Sequence, residues 1–235
     1  MNCQTCGIEI PFASTIKKCS TCKTPEDKLM EYDLRLQGLK YRISKGVSDG
    51  HLPENMMDYK FKNSDPAVEE LNPKMWEFLK AWDVTKGSIW LWGAPGCGKS
   101  HSSLMVGLRA MWNNKCVIRL NARRFVRILQ RFKEGEDTFD QWKEADVLIF
   151  DDIDKMNVSE HNVTALWDLF DAVSMRRGAF IITSNLDASA LRTTWMDKLD
   201  NPTQVSATLD RLKPCTVIEV KGDSMRGKVV RLPTE

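Results

Sequence analysis

No uninterrupted apolar run in this chain approaches the ~20 residues that a membrane-spanning helix requires, and no such span is predicted. The first ten residues lack a basic stretch followed by an apolar one, so this segment does not read as a secretory signal. Excess charge of either sign is also missing: 34 Lys and Arg stand against 32 Asp and Glu, a net +2. No global field for polyanions follows, and any nucleic-acid contact has to be local. These absences predict a soluble, cytoplasmic protein without membrane partners. At 235 residues, 42% of them apolar, the chain can build one full α/β domain and something small besides.

What is present centres on Gly93-Ala94-Pro95-Gly96-Cys97-Gly98-Lys99-Ser100. Gly, four residues, then Gly-Lys-Ser is the phosphate-loop pattern, and its context is right: the apolar run Ser88–Trp92 precedes it and a helix-like stretch from His101 to Trp112 follows. Glycines let the backbone turn sharply and aim successive N–H groups at phosphate oxygens, and the helix N-terminus adds a favourable dipole. Residues 93–101 are therefore the expected nucleotide cradle. Lys99 would reach the β/γ-phosphates and Ser100 would hold Mg2+. A chance Gly-rich turn opening an ordinary helix is the bland alternative, and both flanks speak against it.

Four further apolar runs read as buried strands: Cys116–Leu120, Asp146–Phe150, Ala179–Asn185 and Thr216–Val220. The second runs into Asp151 and Asp152, delivering carboxylates to the C-terminal edge of a parallel sheet. Asp151 would orient the Mg2+ shell and Asp152 would polarise the attacking water. Asn185 either holds that water near the γ-phosphate or caps the helix that begins near Asp187. Asn72-Pro73 predicts a helix to about Trp82 with Asn72 as its N-cap. Tyr59 and Phe61 are weak candidates for a place near the base. Ala122–Lys133 reads as a basic helix, with Arg123, Arg124, Arg127, Arg131 and Lys133 around Phe125. It is either a solvated face with Phe125 in the core or a site of phosphate attraction and base stacking. Glu134–Asp140 is acidic and predicted to be a loop.

Cysteine usage is uneven. Cys97, Cys116 and Cys215 are scattered, whereas Cys3-x-x-Cys6 and Cys19-x-x-Cys22 make two close pairs. Two such pairs can place four thiolates at the corners of a tetrahedron, as structural Zn2+ prefers, and four Cys ligands leave no open catalytic position. Disulfides, an iron–sulfur cluster and a redox pair are the alternatives; an intracellular chain disfavours the first, and no thioredoxin-like strand precedes either pair. From Pro25 to Ser44 the residues Leu29, Tyr32, Leu36, Leu39 and Ile43 recur at helical steps. That stripe packs on its own domain or binds a partner. Gly46–Pro53 reads as a hinge.

In their order, the phosphate loop, the Leu148–Asp152 strand end, Ile182-Thr183-Ser184-Asn185 and Thr208-Leu209-Asp210-Arg211-Leu212 resemble AAA+ ATPases. More narrowly they are similar to the DnaC/DnaI-like loaders of replicative helicases, found in bacteria and phages, over about residues 55–226. IstB-like transposition ATPases share the same core. The resemblance implies an α/β P-loop core with a five-stranded parallel sheet flanked by helices, without the helical lid of most AAA+ modules. It divides the chain into a zinc-binding, partner-binding region 1–45, a linker 46–54 and an ATPase domain 55–235. It makes Arg211 an arginine finger for nucleotide on a neighbouring subunit, and Arg226 of Gly222-x-Ser224-x-Arg226 a sensor of nucleotide in cis. Asp152 stands where many members carry Glu, which implies slow hydrolysis. ATP, Mg2+ and Zn2+ are the implied cofactors. A hexameric replicative helicase, single-stranded DNA and further copies of this chain are the implied partners. Rival readings are an ATPase assisting a transposase, a zinc-bearing DNA-binding adaptor that uses ATP as a switch, and a small-molecule P-loop kinase, for which no arginine-rich lid is seen.

Overall fold

The fold is that of a computed structural model, which describes residues 2–6, 16–18, 20–130, 136–199 and 202–224. The chain divides into two compact units, Met1–Lys45 and Gly46–Glu235.

In the first unit, Gln4 N–H donates to Lys17 O (2.8 Å), bringing the two cysteine-bearing segments side by side. Helix α1 (Pro25–Ser48) starts at a reciprocal cap. Thr24 N–H donates to Asp27 Oδ2 (2.9 Å) and Asp27 N–H donates to Thr24 Oγ1 (3.2 Å). Pro25 at the first helical position costs nothing, because its missing N–H would have lacked a helical partner anyway. Lys18 adds an ion pair to Asp27 (2.8 Å). That hydrogen bond, followed by the Thr24 N–H, holds the Asp27 carboxyl down at about 2.

Helix α1 departs from expectation in two ways. Its apolar stripe is not one buried face: Leu39 and Ile43 are buried, whereas Leu29 and Tyr32 are exposed. Nor does it stop at Ser44, because the expected hinge begins as helix. Gly46 sits inside the helix, where Leu52 approaches too closely for a Cβ. Two bonds end it, Gly50 N–H to Val47 O and His51 N–H to Gly46 O, with Gly50 left-handed at φ 67°. This pairing satisfies the last carbonyls of a helix.

In the second unit, α2 (Pro66–Leu71) and α3 (Pro73–Ala81) lead to β1 (Ile89–Trp92). Then follow α4 (Lys99–Trp112), β2 (Val117–Asn121), α5 (Ala122–Gln130) and α6 (Glu136–Lys143). β3 (Val147–Asp151), α7 (Glu160–Met175), β4 (Ala179–Ser184), α8 (Ala188–Met196), α9 (Pro202–Asp210) and β5 (Thr216–Glu219) complete it. All five strands are parallel, in the order β2-β3-β4-β1-β5. The three central strands are apolar because helices cover both of their faces. After β1 the chain crosses to β2 at one edge and after β4 it crosses to β5 at the other, and at such a reversal the ligands of parallel sheets bind, by the C-terminal ends of the strands.

Two sequence expectations change here, and one that the sequence left open is decided. The segment expected as an acidic loop is largely α6, because Phe139 and Trp142 lie three residues apart on one helical face and Trp142 is fully buried. Phe125 is also fully buried, 5.4 Å from Phe150 and 5.9 Å from Trp142 between ring centres. It therefore cannot stack on a nucleic-acid base, and of the three arginines of α5 Arg123 and Arg127 are exposed while Arg124 is half-buried. Arg131 and Lys133 lie outside the described residues. Asn72 precedes α3 as expected, but its side chain makes no cap; it bonds Lys221 instead.

Candidate functional site

β1 ends in the middle of the sheet, and the chain then turns through Gly93–Gly98 into α4. A Cβ on Gly93 would lie 2.3 Å from Val220 O, and one on Gly96 would lie 2.3 Å from Ser224 Oγ. The residues after β5 thus run against the loop, and only glycine leaves them room. Gly98, left-handed at φ 98°, forms the N-cap of α4. Lys99 and Ser100 form the first turn of that helix, two residues earlier than the helix-like stretch of the sequence suggests.

Lys99 is almost fully buried. Its ammonium donates to Gly93 O (2.8 Å), Ala94 O (2.7 Å) and Asn185 Oδ1 (3.1 Å). Three acceptors match its three N–H groups. Cys97 Sγ stands 3.8 Å away. Ser100 Oγ donates to Asp151 Oδ1 (2.7 Å), and Thr183 Oγ1 donates to the same oxygen (2.6 Å). Arg119 on β2 completes the set with an ion pair to Asp151 Oδ2. The adjacent oxygens of Ser100 and Asp151 are hard donors of the kind Mg2+ takes.

Asp152 follows with a left-handed backbone, φ 55°, held by its N–H bond to Thr183 Oγ1 (2.8 Å). Burial pushes its carboxyl above the usual range, and the charges of Asp151 and Asp154 push the same way. A raised carboxylate suits a group that must take up a proton. Asn185 does not cap α8. That role belongs to Asp187, whose carboxylate accepts from Ala190 N–H (2.8 Å). Asn185 instead pairs with Asp154 through its N–H (3.0 Å) and its Nδ2 (2.8 Å).

These groups border a cavity of about 400 Å³ lined by Pro95, Gly96, Gly98, Lys99, Ser100, His101, Asp152 and Asn185 on one side and by Ser64, Asp65, Val68 and Trp76 on the other. Tyr59 packs on His101 (5.0 Å) and Phe61 stands edge-on to Trp76 (5.4 Å), so each lies behind a residue of the wall. The glycine turn, buried ammonium and hydroxyl–carboxylate pair fit a triphosphate with its metal.

Arg211 lies in the turn after α9. It pairs with Asp171 (2.6 Å) and sits over the Trp167 ring (5.4 Å), both on α7. Arg226 lies outside the described residues. In the N-terminal unit, the Sγ atoms of Cys3, Cys6 and Cys22 fall within 4.8 Å of one another. Three convergent thiols fit a tetrahedral thiolate site; Cys19, the expected fourth ligand, lies outside the described residues. Arg119, Thr183 and Asp154 were not among the expected site residues. An arginine and a threonine inside apolar strands, and a third acid just past Asp151-Asp152, were the signals available.

A model of the IstB-like ATP binding protein family matches residues 33–232. A putative insertion sequence ATP-binding protein (y4iQ/y4nD/y4sD) of Sinorhizobium fredii is 26% identical over 191 residues. The match takes in 79% of this chain and 62% of that protein, so the chain spans less than two thirds of its relative's length. Among solved structures, AMPPCP-bound DnaA from Aquifex aeolicus superposes with a TM-score of 0.58 at 19% identity, covering 74% of this chain and 52% of that one. The DnaI structure superposes at 0.59 with 15% identity, covering 72% and 95%. These structural likenesses show a shared fold, the five-stranded parallel sheet flanked by helices.

Proposed function

Because the chain belongs to the IstB-like ATP binding protein family, we propose that it is an ATPase that loads a hexameric replicative helicase onto single-stranded DNA. What supports hydrolysis is the meeting of Lys99, Ser100, Asp151, Asp152 and Asn185 at one sheet edge. What supports loading is a separate compact unit, Met1–Lys45, with three convergent thiols and apolar side chains exposed along α1.

Bound Mg2+-ATP supplies the phosphoanhydride whose cleavage changes the protein's state. The chain supplies the rest. Lys99 is the cation for the β/γ-phosphates, and Ser100 with Asp151 would hold the metal. Asp152 would accept the proton of the attacking water at its carboxylate, and Asn185 would orient that water. Arg211 would reach the nucleotide of a neighbouring copy, joining hydrolysis to self-association. Arg123 and Arg127 would draw in the DNA backbone by charge alone. Cys3, Cys6, Cys19 and Cys22 would hold Zn2+ and so shape the surface that grips the helicase.

The insertion-sequence relative favours a second reading, an ATPase that assists a transposase on duplex DNA. Capture experiments separate the two. The full chain, with and without a zinc chelator, is mixed with a purified hexameric replicative helicase. Capture that the chelator abolishes is the expected result. No capture at micromolar concentrations, with phosphate release stimulated by duplex rather than single-stranded DNA, would hand the case to the transposition reading.

A further inference from the structure

Asp154 sits in the single helical turn Ile153–Lys155 that follows Asp152. Its side chain is 4% exposed, yet it touches none of the phosphate-loop residues in the hydrogen bonds described above. Oδ1 accepts from the Asn185 backbone N–H and Oδ2 from Asn185 Nδ2, while Lys155 Nζ closes an ion pair to Oδ2 at 3.0 Å. Burial works against the charge, but the two Asn185 bonds and Lys155 outweigh it and leave the carboxyl below its usual range.

An ionised carboxylate accepts and cannot donate; an ammonium donates and cannot accept. Asn185 lies between one of each. Its Nδ2 must therefore face Asp154 and its Oδ1 must face Lys99. Either partner alone would orient the amide in the nucleotide-free state. Once Lys99 turns to phosphate, Asp154 is the partner that remains.

We propose that Asp154 is a positioning residue for hydrolysis, holding the Asn185 amide in one orientation while Lys99 is engaged elsewhere. This rests on the ATPase reading of the site. The buried carboxylate acts through Asn185.

The test is a double-mutant cycle in the full chain with Asp154→Asn, Asn185→Ala and the pair, read by Mg2+-ATP turnover. Asp154→Asn can donate as well as accept, so it no longer dictates the amide. It should lower kcat by about tenfold or more while leaving KM within about threefold, the pattern of a lost transition-state interaction. In the Asn185→Ala background it should have no further effect. Effects that multiply in the pair, or an unchanged kcat in Asp154→Asn alone, would overturn the inference. A second readout needs no nucleotide: in chain labelled with 15N-asparagine, the signal missing from Asn185→Ala identifies this side-chain amide. In Lys99→Ala, where Asp154 is the partner that remains, it should exchange slowly with solvent, and in Lys99→Ala combined with Asp154→Asn faster. Equal exchange in both would also overturn the inference. Asp154→Glu keeps the charge one methylene displaced, and serves if Asp154→Asn fails to fold; its kcat should fall without loss of Tm. A wild type whose phosphate release is unmoved by Lys99→Ala would instead sink the ATPase reading, and the exchange measurement would still judge Asp154.

Discussion

Asn72 and Lys221 are joined by two hydrogen bonds of 2.8 Å: Asn72 Nδ2 donates to Lys221 O, and Lys221 N–H donates to Asn72 Oδ1. The side-chain amide behaves as one peptide unit of a neighbouring strand, continuing the ladder just beyond β5. Nδ2 also reaches Val68 O at 3.1 Å. The corner between α2 and α3 thereby holds the chain after β5 against the phosphate loop.

Asn72→Ala should strand the Lys221 peptide groups and cost about 1–3 kcal/mol, seen as a fall in Tm. Because Ser224 sits against Gly96, ATP affinity should weaken as well. Thermal unfolding and a fluorescent-ATP titration check both; an unchanged Tm would refute the structural role of the pair.

Gly93→Ala should abolish nucleotide binding. The new Cβ would meet Val220 O, a backbone atom that cannot swing away, and φ is 151°. The strain is of order 1–3 kcal/mol, relieved by displacing either the loop or the strand beside it. Retained ATP affinity in this variant would show that the loop tolerates a different path.

Stability should fall as pH drops below about 6.5, the ordinary histidine value, through protonation of the unfolded chain. Burial, then the charge of Arg124, lowers the pKa of His51, with Asp49 and a hydrogen bond to Gln141 acting against them. The folded protein resists a proton that the unfolded chain accepts, so the contribution is complete above the unfolded value and is lost on acidification. His101, lowered by burial, acts in the same sense. Tm followed from about pH 7.5 to about pH 5.5 should decline less steeply in His51→Gln than in the wild type.

Arg211→Ala should lower hydrolysis by at least about tenfold, while its surface pair with Asp171 (Arg211 side chain 41% exposed) accounts for no more than about 1 kcal/mol of stability. If the arginine serves a neighbour, Lys99→Ala and Arg211→Ala chains mixed together should recover activity that neither has alone. Mixtures no more active than their parts would place Arg211 in its own chain's surface and nothing more.

Zinc removal should unfold the N-terminal unit. Chelation or Cys22→Ser should release about one Zn2+ per chain and lower α-helical circular dichroism from α1. Metal analysis finding no zinc in the purified chain would remove this site from the account.

Much of the second unit is legible in the sequence, because its signals are local. The central parallel strands are short apolar runs, Gly93–Ser100 carries its own geometry, and Asp151 follows directly from a buried strand. Where local signals mislead, packing is the reason. The charges of Glu136–Lys143 hide the Phe139–Trp142 pair, and the arginines around Phe125 hide the fact that its ring belongs to the core. Gly46 looks like a hinge until Leu52 lies on it.

The sequence by itself determined the chemistry available: a phosphate loop with its lysine and serine, two carboxylates at a strand end, and four closely spaced cysteines. Only the tertiary structure decided how those groups are held. Lys99 meets Asn185 across 86 positions, Arg119 meets Asp151 across 32, and Asn72 meets Lys221 across 149. Residue type and spacing encode what a side chain can donate or accept. Which acceptor it finds depends on strand order and on how helices pack over the sheet, and those follow from burial of the whole chain.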